Sequence, residues 1–137
     1  MKLVPTRRVE NAIRVLKFLM STESNSSSAA SIASATGLSA PVVRQLMQTL
    51  ARAGLVGSQS GPRGGYWLSC VPVETTMRTV TEACEGPINP QFCDLRGIAC
   101  EQVPQCALHL VWSDSQAMLA DELARFTLSD LAAPATP

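Results

Sequence analysis

At 137 residues, with 46% hydrophobic and 16% charged side chains, the chain is long enough to bury a core and too apolar to be disordered. Its formal net charge is zero, which at first sight argues against a polyanionic partner. The halves differ, however. Residues 1–69 carry Lys2, Arg7, Arg8, Arg14, Lys17, Arg44, Arg52 and Arg63 against Glu10 and Glu23, a balance of +6, whereas residues 70–137 stand at −6. A basic front half and an acidic back half describe a polyanion-facing module joined to something else.

The first apolar run, V-E-N-A-I-R-V-L-K-F-L-M, predicts an amphipathic helix over about residues 8–20, with Val9, Ala12, Ile13, Leu16, Leu19 and Met20 on one face. Arg14 and Lys17 interrupt it, so it is neither a secretory nor a membrane segment. A cytoplasmic location is expected, where stable disulfides are rare, and five cysteines make an odd count for a disulfide framework. S-T-E-S-N-S-S-S then reads as a solvated, mobile loop. Ala29 to Thr36 predicts a short helix ended by Gly37. A second helix follows, with Ser39 as N-cap, Pro41 in its first turn, an inner stripe of Val43, Leu46, Met47 and Leu50, and Gly54 past its end. Two short helices joined by a glycine turn are a helix-turn-helix.

L-V-G-S-Q and Y-W-L-S predict two strands around S-G-P-R-G-G, a small hairpin with Arg63 at its tip. Helix-turn-helix plus basic hairpin makes a winged helix, in which the second helix enters the major groove of double-stranded DNA and the wing lies on the flanking backbone or minor groove. Once the stripe is buried, Arg44, Gln45, Gln48 and Arg52 share the exposed side of that helix. Arg and Gln suit bidentate contacts to guanine and adenine, and an arginine can instead hold a phosphate. A merely solvated polar face is the competing reading for any one of them; as a set beside a wing they point to DNA. Arg63 between glycines, with Gly64 next to it, suits close backbone or minor-groove approach.

Thr76 should cap a helix that Gly86-Pro87 stops, with Cys84 on its apolar face beside Met77 and Val80. Cys70 and Cys84 read as core or half-buried thiols. Residues 86–105 carry Pro87, Pro90, Gly97 and Pro104 and predict a loop without regular structure. The loop leads into a long helix, 106–126, with Leu108, Val111, Trp112, Ser115, Met118, Leu119, Glu122, Leu123 and Phe126 at three- and four-residue steps. At 1.5 Å per residue it runs roughly 30 Å, more than so small a domain can cover, so a partner helix is the natural cover. F-T-L-S-D-L predicts a final short helix capped by Ser129 or Thr127. The expected organisation is a DNA-binding domain over 1–72, then the cysteine loop and an association helix over 73–137.

Cys93, Cys100, Cys106 and His109, spaced C-x6-C-x5-C-x2-H, gather three thiols and the chain's one histidine in a polar setting with Asp94, Arg96, Glu101 and Gln105. Structural zinc would fit this ligand set, but zinc modules usually contain a C-x2-C or C-x4-C knuckle and none occurs here. Wider spacing on a proline-rich loop suits an iron–sulfur cluster. A cysteine redox enzyme is disfavoured by the lack of C-x-x-C.

N-A-I-R-V-L-K-F-L, I-A-x-x-x-G-L-S, A-G-L-V, S-G-P-R-G-G-Y-W-L, E-G-P, the three spaced cysteines, C-A-L-H-L-V-W and F-T-L-S-D-L together resemble the Rrf-two-type winged-helix regulators of the IscR/NsrR kind. The resemblance spans nearly the whole chain. It implies a mostly α protein with a hairpin wing, not an enzyme, acting as a homodimer through crossed long helices on a near-palindromic operator, with neither a membrane nor a small-molecule substrate as partner. It also implies an iron–sulfur cluster on Cys93, Cys100 and Cys106, 2Fe-2S favoured and 4Fe-4S the alternative, whose state alters DNA binding. His109 stands where IscR-like members place a fourth ligand; Glu10 stands, after a two-residue insertion, where NsrR-like members place a carboxylate from the partner. Many family members have an arginine just before the wing glycine where this chain has Ser60, so Arg63 would take over its role.

Overall fold

The computed structural model describes residues 5–88, 92–93, 98–99 and 106–132, with backbone alone at 92–93, 98–99 and 107. Helix α1, Arg7–Ser21, starts at Thr6, whose hydroxyl accepts the Val9 N–H at 3.3 Å. Its buried residues are Val9, Ala12, Val15, Leu16 and Leu19. Ile13 and Met20, expected inward, are only half-buried, and Val15 takes a fully buried place instead. The stripe is wider than one face because other helices cover α1 from more than one side.

Helix α2, Ala29–Thr36, is capped by Ser28 Oγ, which accepts from Ser31 N–H at 3.0 Å, and ends at Gly37 with φ 73°. Helix α3, Ala40–Arg52, buries Val43, Leu46, Met47 and Leu50, the stripe that the periodicity predicts. Its end is a full Schellman motif: Gly54 N–H reaches Ala51 C=O and Leu55 N–H reaches Leu50 C=O, each at 3.0 Å. The reversal at Gly54, φ 75°, needs glycine, and it drops Leu55 into the core beside Leu50.

Strand β1, Val56–Gln59, pairs antiparallel with β2, Gly65–Leu68, with Val56 opposite Leu68 and Gln59 opposite Gly65. The serine-rich stretch before α2 is not wholly a solvated loop. Ser27 is buried and exchanges two 2.8 Å main-chain hydrogen bonds with Tyr66, adding a one-residue third strand to the wing. The backbone carries this contact, so side-chain polarity gives no sign of it.

Helix α4, Met77–Glu85, is capped by Thr76 and buries Met77, Val80 and Cys84, as expected. Beyond it, the expectation of no regular structure over 86–105 is corrected at four residues. Phe92–Cys93 (β3) pairs with Ile98–Ala99 (β4), Cys93 opposite Ile98, in a stretch that the prolines do not enter. Helix α5 is Ala107–Arg125. The final F-T-L-S-D-L forms a 3-10 turn, Ser129–Leu131, rather than an α-helix. Its clamp is Asp130, whose carboxylate accepts both the Thr127 N–H (2.7 Å) and the Thr127 hydroxyl (3.0 Å).

One buried cluster runs through these elements, from Val9 and Leu16 on α1 through Ile32, Met47 and Leu50 to Val80, Cys84 and Leu128. Full burial of each such large apolar side chain contributes about 1.5–3 kcal/mol. The cluster continues across residue 72: Leu128 N–H donates to Thr75 C=O and Met77 N–H to Phe126 C=O, which docks the C-terminal turn on the segment before α4. The fold is a winged helix-turn-helix with a long C-terminal helix.

Candidate nucleic-acid interface and cysteine site

Burying Val43, Leu46, Met47 and Leu50 leaves Pro41, Arg44, Gln45, Gln48 and Arg52 exposed along α3. Ser39 occupies the N-cap position, but its hydroxyl makes no capping bond and is exposed. Arg52 lies in the last turn, where the helix dipole favours a cation. Arg8 of α1 joins this surface: its Nη2 donates to Thr49 Oγ1 at 2.9 Å, and it lines a cleft with Asn11, Val42, Gln45 and Leu46. Sequence reasoning missed Arg8, because 41 residues separate it from Thr49 and only the packed fold brings the two together.

At the wing tip Gly64 N–H closes a tight turn onto Gly61 C=O at 3.0 Å, with Pro62 and exposed Arg63 between them. A Cβ on Gly64 would stand 2.1 Å from the Gln59 carbonyl oxygen, so only glycine fits. Trp67 is half-buried and its indole lies against Gly57 on the opposite strand, which makes it a packing residue of the wing.

Helix α5 presents a second surface. Its described residues that are not exposed are His109, Ser113, Gln116, Ala120 and Leu123, with Cys106 preceding them at the N-cap position, a single row at alternating three- and four-residue steps. Leu108, Leu110, Val111, Trp112, Met118 and Leu119 are 44–69% exposed. The helix therefore turns its more polar row inward and its large apolar side chains outward. A helix packed only within one protomer would do the reverse.

Cys106 and His109 start the inward row, both half-buried, with His109 N–H donating to Cys106 C=O at 3.0 Å. A thiol and an imidazole one turn apart on one helix face suit iron or zinc. Cys93 enters through the β3 backbone; its side chain, and all of Cys100, lie outside the described residues. Glu10 is exposed in the first turn of α1. Among the described residues no three metal-ligating side chains come together. Burial pushes the Cys84 thiol above its ordinary range, partly opposed by the charge of Arg8. Cys84 is thus a core thiol, and Cys70 is half-buried against the same core. No described helix is long and apolar enough to cross a membrane.

Relatives agree with this architecture. The chain is 32% identical over 102 residues to the HTH-type transcriptional regulator IscR of Vibrio vulnificus, covering 74% of this chain and 60% of that protein. It is 29% identical over 100 residues to protein rrf2 of Nitratidesulfovibrio vulgaris, covering 73% and 67%. The aligned stretch thus spans about 60% of the length of the IscR relatives it matches. Among solved structures, CymR, the global cysteine regulator of B. subtilis, superposes with a TM-score of 0.71 at 27% identity, covering 96% of this chain and 97% of that one. T. potens IscR superposes with a TM-score of 0.71 at 25% identity, covering 96% and 87%. These proteins are regulators, a class without catalysis. Residues 5–134 match the family profile described as Rrf2, iron-dependent transcriptional regulator, and the chain belongs to that family of transcriptional regulators.

Proposed function

We propose that the protein is a homodimeric transcriptional regulator that binds double-stranded DNA and senses the state of an iron–sulfur cluster. The observation that carries the DNA reading is the exposed Arg44, Gln45 and Gln48 on α3 beside a wing whose tip presents Arg63. On this reading Arg44, Gln45 and Gln48 address base edges in the major groove. The unspent Ser39 hydroxyl, Arg52 and the Arg63–Gly64 tip hold phosphates, and Pro41 packs against the groove wall. The outward apolar row of α5 supports association through crossed long helices, which sets two winged helices on a near-palindromic site.

Cys93, Cys100 and Cys106 would hold the cluster, 2Fe-2S favoured over 4Fe-4S, with His109 as fourth ligand and Glu10 of a second copy as the alternative. The pairing of Cys106 with His109 on one face supports His109. A bound cluster would supply a redox- and nitric-oxide-sensitive tie among the thiolates. The chain's own part is to bring deprotonated ligands together at one point. A coupling of about 1–3 kcal/mol between that ligation and DNA binding changes affinity roughly 5- to 150-fold.

Purification without oxygen tests the reading. A coloured protein with iron and sulfide is expected, and a Cys93→Ser/Cys100→Ser/Cys106→Ser variant should lose both the visible absorption and the dependence of DNA affinity on cluster loading. DNA is supplied as duplexes selected from a random pool. Arg44→Ala should weaken binding by about 1–3 kcal/mol and relax one base position. The three-cysteine, one-histidine ligand set favours one second reading, a regulator that works without a cluster, through a bound zinc ion or its thiols alone. A colourless protein that still binds DNA selects it.

A further inference from the structure

The geometry points to the first turn of α1 as the link that passes the state of the cysteine segment to the recognition helix, with Thr6 and Arg8 as positioning residues. The inference rests on the cluster-coupled reading above and adds to it the residues that carry the coupling.

The segment leaves α4 at Gly86, and two carboxylates lie at that end of the helix. Glu82 Oε1 accepts the Ile88 N–H at 3.1 Å and the Arg78 Nε–H at 3.0 Å, so the start of the segment is tied to α4. Glu85, the last residue of α4, accepts the Thr6 hydroxyl at 2.6 Å. Thr6 is also the N-cap of α1, its oxygen taking the Val9 N–H at 3.3 Å, so a shift of the α4 terminus acts on the point where α1 begins. Two residues on, Arg8 crosses to α3 and donates to Thr49 Oγ1 at 2.9 Å, while the Thr49 hydroxyl donates to Gln45 C=O at 3.2 Å. Gln45 is one of the exposed groove residues.

Apolar packing joins α4 to α3 as well, and a close-packed interior also transmits strain; the hydrogen-bonded route is the one that exposed substitutions cut separately. Thr6, Arg8 and Glu85 are exposed, so cutting the path should leave the core intact.

The test compares cluster-loaded and cluster-free protein, anaerobically, on a fluorescent duplex selected from a random pool. In Arg8→Met and in Glu85→Ala the loaded-to-free affinity ratio should move at least threefold towards one. The double variant should be no worse than either single one, because both cut one path. Visible spectrum and thermal midpoint should stay as in the parent, and Arg8→Lys, which can still donate to Thr49, should restore part of the ratio. A parent ratio different from one that both variants retain overturns the link alone. An equal loss in both forms with a shallower salt dependence makes Arg8 a phosphate contact and also overturns it. A parent ratio of one removes the cluster-coupled reading, and the link with it.

Discussion

Gly64 shows how much a single position decides. With Gln59 O only 2.1 Å from where its Cβ would stand, Gly64→Ala must open the turn that presents Arg63. The turn is exposed and outside the core, so the thermal midpoint should hold while DNA affinity falls about tenfold, a loss of the size expected for one misplaced contact. Cys84 is the opposite case, a residue whose chemistry is suppressed. Burial raises its thiol pKa in the folded chain. A raised folded value means the stabilisation is complete below the unfolded thiol's pKa and is lost as pH climbs through the folded one. Urea melts from neutral to strongly alkaline pH should show the parent losing stability more steeply than Cys84→Ala. Iodoacetamide at neutral pH should modify Cys106, half-buried at the α5 N-cap, before Cys84.

Among the elements, the C-terminal turn contributes more than its length suggests. Leu128 is fully buried in the core shared by α1, α3 and α4; its N–H donates to Thr75 C=O, and the Phe126 C=O two residues before it accepts from Met77 N–H, which fixes the turn there. Leu128→Ala should cost about 2–5 kcal/mol in a urea melt. Asp130 holds the turn through Thr127, and these hydrogen bonds lower its pKa. A lowered folded value means the contribution is present above the ordinary carboxylate range and is lost as pH falls through the folded value, so the turn should loosen first in acid. Helix α3 was legible in the sequence because a 3.6-residue stripe, a proline near its start and Gly54 past its end all agree. Ser27 against Tyr66 and the Cys93–Ile98 ladder were not legible, since main-chain bonds carry them and leave no side-chain pattern. The cysteines and His109 stood out as residue types. The Thr6–Glu85 contact, 79 residues apart, is a product of packing that no local spacing encodes.

At the scale of the whole molecule, α5 poses the largest physical question. Its inward row of His109, Ser113, Gln116, Ala120 and Leu123 already satisfies what the protomer can cover, while Val111, Trp112, Met118 and Leu119 face outward. That arrangement is costly for an isolated chain and favourable when a second α5 crosses it. Met118 and Leu119 are 69% and 52% exposed, so replacing them does not disturb the protomer's own core. Met118→Glu/Leu119→Glu should therefore leave helix content unchanged and convert the protein to a monomer in analytical ultracentrifugation. One head on one half-site then loses the advantage of linked binding, which for joined modules amounts to about 10²–10⁴ in affinity. A double variant that still sediments as a dimer, or a monomer that binds a two-half-site duplex as tightly as the parent, would mean that this helix does not set the spacing of the DNA-binding heads.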